Sequence, residues 1–383
     1  MTVVANYWTL WRYKLRATGL RHSLRVVYLD LCESALCSVA KRLSLYPFSP
    51  RSIQIECTTR CNLKCTMCEI AYWSEAGGDL SVADLKRMID HLPNLKRVDL
   101  TGVGEALMNR SFLTMLEWLK SRCLYITLND NFTMLTDEAA RRIIELGVEQ
   151  VFLSLDGASK QTYEKIRQGA NFEKVIANAK RLIAMKTLMG KKLPEIKINT
   201  VVSSDNYHEI PEIVSLAHNL GIGMVQFVNV ITFEKTAALN EGGLRCEVTE
   251  KLRAAQKNAK RLGVIVKAEL FDKLPVRHCD FPWKRNFITY DGAVHPCCFT
   301  TQTGDRAAQN RRAFGNLIGG SFEQIWQSAS YRSFRRQMRQ GILPEACSHC
   351  PKYSGKTAPE PVPLAAAKAH GAAASDQTQP SPL

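Results

Sequence analysis

Ser52-Ile53-Gln54-Ile55-Glu56-Cys57-Thr58-Thr59-Arg60-Cys61-Asn62-Leu63-Lys64-Cys65-Thr66-Met67-Cys68 decides the reading of this chain. Residues 52–57 are short, apolar and β-branched, the pattern of a strand, and Cys57 reads as a small buried hydrophobe within it. Directly after that strand, three thiols fall on a tight loop, separated by three residues and then by two. Close thiolates suit a soft metal cluster. A four-iron cluster has four corners, so three protein ligands leave one iron open to chelate the amino and carboxylate groups of a small molecule.

Downstream, short apolar runs recur at 97–102, 124–129, 150–156, 195–202 and 224–230. Amphipathic segments near 81–91, 110–122, 136–146, 171–189, 208–220 and 248–261 lie between and after them. Val151-Phe152-Leu153-Ser154-Leu155 and Ile196-Lys197-Ile198-Asn199-Thr200-Val201-Val202 have the near-continuous apolar character of strands buried on both faces of a parallel sheet. Six strands with six helices give an α/β fold, an open barrel of six β/α units, with chemistry expected at the C-terminal ends of its strands.

The alternation breaks after about residue 270, where Cys279, Cys297, Cys298, Cys347 and Cys350 appear among aromatics, Gly and Pro. The expected domains are a basic helical extension over 1–50, a core over 51–270, a small metal-stapled domain over 271–355 and a tail over 356–383. Ala, Pro, Ser and Gln dominate the tail, which carries too little apolar surface to offset the entropy of ordering. The extension holds seven Lys/Arg against two acids, with Trp8, Trp11, Tyr13, Leu15, Leu20, Leu24, Val27, Tyr28 and Leu31 in an irregular amphipathic pattern. A helix packed on the core is the first reading; a peripheral membrane anchor is the second.

The 383 residues hold thirteen cysteines and a formal charge of +15. No run approaches the ~20 apolar residues of a spanning helix, and no export signal is visible, so the chain reads as cytoplasmic and its clustered cysteines as metal ligands rather than a disulfide framework. The charge favours some anionic partner without choosing one.

The Cys61, Cys65, Cys68 spacing after strand one resembles the radical SAM motif. Leu100-Thr101-Gly102-Val103-Gly104-Glu105-Ala106 resembles that superfamily's Gly-Gly-Glu-Pro segment, with Val103 and Ala106 as departures. Met67 departs too, standing where an aromatic is common. The resemblance implies S-adenosylmethionine as cofactor and a 4Fe-4S cluster on the three thiols. Gly102, Gly104 and Glu105 would border the methionine amino group, Ser154 would bond the cofactor, and Arg167 would pair with its carboxylate, a task suited to a rigid fork of donors. Asn129 and Asp156 are further cofactor candidates, with strand-end turn chemistry as the alternative; Asn199 is a pocket candidate.

Gly292-x4-Cys297, Gly315-Asn316-Leu317 and Cys347-x2-Cys350 resemble SPASM/Twitch domains. Five cysteines fit one auxiliary 4Fe-4S cluster, on Cys279, Cys297, Cys347 and Cys350, with Cys298 a neighbour or spare ligand. A structural zinc is the alternative. The implied fold is thus a partial (β/α)6 TIM-type barrel with a small C-terminal Cys-rich iron–sulfur domain.

The expected function is reductive cleavage of S-adenosylmethionine to a 5′-deoxyadenosyl radical and hydrogen abstraction from a small polar molecule or peptide. The auxiliary cluster would assist oxidation or bond formation, and an external donor such as flavodoxin or ferredoxin would supply electrons. A non-catalytic electron carrier and an RNA-modifying enzyme are the alternatives. Nucleic acid has only the charge in its favour, since no aromatic-interleaved basic module appears. No catalytic acid or base is singled out among Glu69, Asp130, Cys246 and Cys298.

Overall fold

The computed structural model describes residues 13–43, 49–73, 76–231, 244–270, 273–301 and 305–357. Most of the expected tail, together with Trp8 and Trp11, lies outside them. The basic extension forms helix α1 (Leu20–Leu43). Then come β1 (Ser52–Ile55), α2 (Val82–Asp90), β2 (Arg97–Leu100), α3 (Phe112–Ser121), β3 (Tyr125–Asp130), α4 (Asp137–Glu145) and β4 (Gln150–Ser154). The barrel continues through α5 (Lys160–Ile166), α6 (Phe172–Leu188), β5 (Glu195–Val202), α7 (Ile210–Asn219), β6 (Met224–Asn229) and α8 (Arg245–Leu262).

The six expected strands pair in sequence order, all parallel, from β1 to β6. Ile55, Leu100, Leu128, Leu153, Ile198 and Phe227 are buried along them. Helices cover the outer face with stripes such as Phe112, Met115, Leu116 and Leu119 on α3. Their starts are written in the sequence: Ser81, Thr136, Ser159 and Asn171 each accept a hydrogen bond from a first-turn amide. Gly263 ends α8 in the left-handed region at φ 71°, where a Cβ is disfavoured.

Two features differ from the expectation. A seventh parallel strand, β7 (Ile265–Glu269), extends the sheet beyond β6; Lys267 and Glu269 interrupt its apolar run because this edge is only half-buried. At the opposite edge, β8 (Arg285–Ile288) pairs in parallel with β1, Ser52 opposite Arg285 and Ile55 opposite Ile288, and β9 (Val294–His295) folds back antiparallel on β8. The Cys-rich segment therefore continues the barrel sheet rather than forming a detached satellite, and its buried side chains belong to the same apolar core. Helices α9 (Phe281–Lys284), α10 (Arg306–Arg311), α11 (Phe322–Trp326) and α12 (Ala329–Arg339) complete it. Lys356–Thr357 pair with Ile342–Leu343 at the last described residues.

α1 crosses the floor of the barrel, at the N-terminal ends of the strands. Its Arg25 donates to the Cys123 carbonyl at 2.6 Å, His22 stacks on Tyr125 at the start of β3, and Asp30 pairs with Arg97 at the start of β2. Its far end reaches the Cys-rich segment, where Lys41 Nζ donates to the Cys279 carbonyl at 2.9 Å.

The loop after β4 is held by one carboxylate. Glu209 accepts hydrogen bonds from the Ala158 amide at 2.6 Å, the Ser159 hydroxyl at 2.5 Å and the Thr162 hydroxyl at 2.6 Å. Partial burial works to raise its pKa, but these donors outweigh that and hold it below the usual carboxylate range. A depressed pKa contributes stability that is present above the unfolded-state value and is lost as pH falls through the folded value. The wild type should therefore lose part of its thermal stability on acidification below about pH 4.5. Glu209→Gln should show a shallower loss over the same window, read as the midpoint of melting against pH; parallel curves would remove Glu209 from this account.

Candidate functional site

The C-terminal ends of the strands enclose a cavity of about 470 Å³. Cys61, Cys65 and Cys68 all line it. Their loop is fixed from two sides. Lys64–Cys65 form an antiparallel bridge with Arg167–Gln168, Cys65 directly opposite Arg167, and the Thr66 amide donates to the Ile166 carbonyl at 2.9 Å. Asn62 Nδ2 donates to Thr133 Oγ1 at 2.7 Å, while Asn131 Nδ2 donates to Asn62 Oδ1 at 3.2 Å, joining the loop to the end of β3.

Gly102 and Gly104 are demanded by close approach of the chain to itself. A Cβ on Gly102 would sit 2.4 Å from Glu56 Cγ, and one on Gly104 would sit 2.3 Å from the Thr58 carbonyl oxygen. Both also line the cavity, so the crossing that excludes side chains presents backbone to whatever enters. Glu105 follows; its amide donates to the Arg60 carbonyl at 2.8 Å and its Oε2 accepts from the Asn131 amide at 3.1 Å. Burial and the neighbouring Asp130 carboxyl push the pKa of Glu105 well up, and burial raises that of Asp130. Each of two adjacent buried carboxyls disfavours ionisation of the other, and a cation beside them would favour the charged form. An ammonium group entering beside Glu105 is such a cation.

Asn129, Ser154, Asn199 and Arg167 line the cavity together with Met67. Asp156 does not. It is fully buried behind Arg167, its carboxylate 2.7 Å from the guanidinium and 2.7 Å from the Val201 amide, so it positions Arg167 instead of facing the cavity. Arg167 NH1 in turn lies 3.8 Å from Cys65 Sγ. Of the four acid–base candidates, Glu69 and Cys298 line the cavity, Asp130 sits beneath it, and Cys246 is exposed on α8. Sequence reasoning missed the far wall. Arg285 on β8 pairs with Asp99 on β2 at 3.0 Å, and Glu269 on β7 pairs with Lys352; all four line the cavity, and of them only Asp99 stands on an expected strand. Gln54, Gln226 and Asn229 complete its polar lining.

Cys279, Cys297, Cys347 and Cys350 meet around a second, small apolar cavity walled by Phe281, Phe334, Met338 and Tyr353. Cys298, whose thiol is hydrogen-bonded to that of Cys297, lines the large cavity and not the small one, while Cys297 borders both. All thirteen cysteines are free thiols. Burial pushes Cys68 and Cys279 up to about 12, so these thiols are ionised only when a cation compensates them. Among the described residues, no three Cys, His, Asp or Glu side chains converge closely enough to grip a single metal ion. Clustered thiols are soft donors of the kind that hold iron–sulfur clusters. Both thiol sets thus fit the 4Fe-4S group, three ligands on the open cavity and four around the closed one.

Comparison with known proteins agrees with this geometry. Residues 55–217 match the family model of the radical SAM superfamily, and residues 279–351 match that of SPASM, an iron-sulfur cluster-binding domain. The tungsten-containing aldehyde ferredoxin oxidoreductase cofactor-modifying protein of Pyrococcus furiosus is 28% identical over 315 residues, covering 78% of this chain and 86% of that protein. The PqqA peptide cyclase of Rhodopseudomonas palustris is 25% identical, covering 79% of each. The crystal structure of Streptococcus suis SuiB bound to precursor peptide SuiA shares the fold, with a TM-score of 0.61 over 82% of this chain and 72% of that one at 16% identity.

A guanidinium beside a cluster thiolate stabilises the more negative, reduced state. Arg167→Gln should therefore lower the midpoint potential of the first cluster by on the order of tens of millivolts, whereas Arg167→Lys, which keeps the charge, should lower it less. An electron-paramagnetic-resonance redox titration checks this; equal potentials in all three proteins would show that Arg167 has no electrostatic hold on the cluster.

Proposed function

Since the chain belongs to the radical SAM superfamily and carries a C-terminal SPASM-type domain, we propose that it abstracts a hydrogen atom from a small polar molecule or a peptide and that the auxiliary site assists oxidation or bond formation. Its cofactors are 4Fe-4S clusters and S-adenosylmethionine. A 4Fe-4S cluster held on Cys61, Cys65 and Cys68 would, with electrons from an external flavodoxin or ferredoxin, supply the reductive cleavage of S-adenosylmethionine that starts hydrogen abstraction.

The observation that carries the reading is the single polar cavity lined at once by Cys61, Cys65 and Cys68 and by Cys297 and Cys298. This chain's residues then divide the work. Glu105, with Asp130 beneath it, accepts the ammonium of the methionine moiety, and Arg167, oriented by Asp156, takes its carboxylate. Gly102 and Gly104 leave the backbone uncovered beside the cofactor, and Asn129 and Ser154 offer hydrogen bonds at the rim. The substrate is placed against the wall of Asn199, Gln226 and Arg285, within the same enclosure as Cys298. Relatives named for a peptide cyclase and a cofactor-modifying protein support a peptide or small-molecule substrate of this kind. A bare electron carrier has no use for an open iron corner beside a polar cavity, and nothing at the cavity distinguishes RNA.

Anaerobically reconstituted protein should hold about eight irons, and replacing Cys61, Cys65 and Cys68 together should leave about half. Reduced wild type should release 5′-deoxyadenosine and methionine slowly without substrate, and Cys65→Ala should abolish that release. Intact clusters without any cleavage would favour the carrier. Cys347→Ala, first shown by circular dichroism to remain folded, should retain slow cleavage while product formation collapses. Turnover at the wild-type rate would make the second site merely structural.

A further inference from the structure

Helix α1 lies outside both family matches, and its two faces make different demands. One face, with Ser23, Val26, Leu29 and Cys37, is buried, Cys37 beside Asp280 of the Cys-rich segment. The other carries Leu20, Leu24, Tyr28, Leu31 and Val39, each more than half exposed. Their spacing of four, four, three and eight residues puts them on one stripe of a straight helix. Five of the nine exposed large hydrophobic side chains among the described residues sit here, so the stripe is a patch and not scatter. Exposed Arg21 and Arg25 flank one edge of the stripe, Arg25 also reaching the Cys123 carbonyl, and exposed Arg16 lies in the helical turn ahead of Gly19, whose φ of 84° separates it from α1. Asp30, the one acid on α1 whose side chain is described, is paired with Arg97 at 2.8 Å.

We propose that this face of α1 docks the protein on an anionic lipid bilayer, the apolar stripe entering the headgroup–acyl boundary and the arginines contacting acidic headgroups. Charge complementarity selects this occupant. A second copy laid on the stripe would bring two sets of Arg16, Arg21 and Arg25 together. Residues 358–383 of the chain offer only Val362, Leu364 and Leu383 as aliphatic side chains larger than Ala, apart from proline and lysine, too few to cover five positions. RNA matches the arginines and leaves the aliphatic stripe without a partner. In the sequence just ahead of the helix, Trp8, Trp11 and Arg12 are residues suited to a bilayer interface. No helix among the described residues is long and apolar enough to cross a membrane, so contact is parallel to the surface. Because α1 covers the N-terminal ends of the strands and the cavity opens at their C-terminal ends, a docked protein turns its cavity away from the lipid.

The test is sedimentation of the reconstituted full chain with vesicles of roughly 30 mol% phosphatidylglycerol in phosphatidylcholine, with pure phosphatidylcholine alongside. The wild type should bind the anionic vesicles at least about tenfold more tightly than the neutral ones, with affinity falling as salt rises. Leu24→Glu/Leu31→Glu should lose at least about tenfold of that binding with an unchanged melting midpoint and unchanged basal S-adenosylmethionine cleavage. Arg16→Glu/Arg21→Glu gives an independent readout should the first variant fail to fold, and it should weaken anionic binding selectively. Absence of vesicle binding by the wild type would overturn the proposal. So would binding untouched by both variants, or a wild-type dimer in solution that the first variant dissociates.

Discussion

A guanidinium with almost no access to water is the constraint on which the site depends. Arg167 is nine-tenths buried, and a buried cation is tolerated only when paired and hydrogen-bonded. Asp156 meets it at 2.7 Å from behind, and Cys65 lies 3.8 Å in front. These contacts join three stretches of chain: the end of β4, the thiol loop after β1 and the turn between α5 and α6. The Cys65–Arg167 bridge sets the register of that junction. Any slip would leave a charge stranded and turn a thiol away from the cavity. The electrostatics of one arginine therefore fix where the first cluster can be held.

A second buried pair does for the two thiol sets what Arg167 does for one. Glu56, at the end of β1, meets Arg306 of α10 at 2.5 Å. Arg306 also lies over the rings of Trp73 and Tyr290, 5.3 and 5.1 Å from their centroids. Burial raises the pKa of Glu56, and the Arg306 guanidinium opposes that rise. The same Glu56 lies under Gly102 at the cavity edge. With β8 hydrogen-bonded along β1, the Cys-rich segment cannot move far from the thiol loop without breaking sheet pairing and burying an unpaired charge.

How much of this could be read from sequence followed from how each element is buried. Strands covered on both faces are near-continuous apolar runs, so β1 to β6 were legible, as were the helices long enough to show a period. The seven-residue α5 was too short, and β7 broke the pattern with Lys267 and Glu269 at a half-buried edge. The thiol spacings were legible because ligands to one cluster are local in sequence. Asp156 was misplaced for a geometric reason. It stands two residues after Ser154, the same face by strand alternation, but β4 ends at Ser154 and the chain turns the carboxylate inward. The pairing of β8 with β1 joins residues more than two hundred apart, and no local pattern encodes it.

Adjacent cysteines with different surroundings give the last step. Cys297 borders both cavities, whereas Cys298 borders only the large one. Cys297 follows β9 and Cys298 opens the short helical turn after it, so the chain passes from the closed thiol pocket to the open cavity between these two residues, and Cys297 is common to both walls. A substrate bound in the large cavity, as proposed, would lie against a wall that Cys297 shares with the closed thiol pocket. That proximity, more than the number of cysteines, is the physical ground for treating the second site as a partner in the chemistry and not only as a staple.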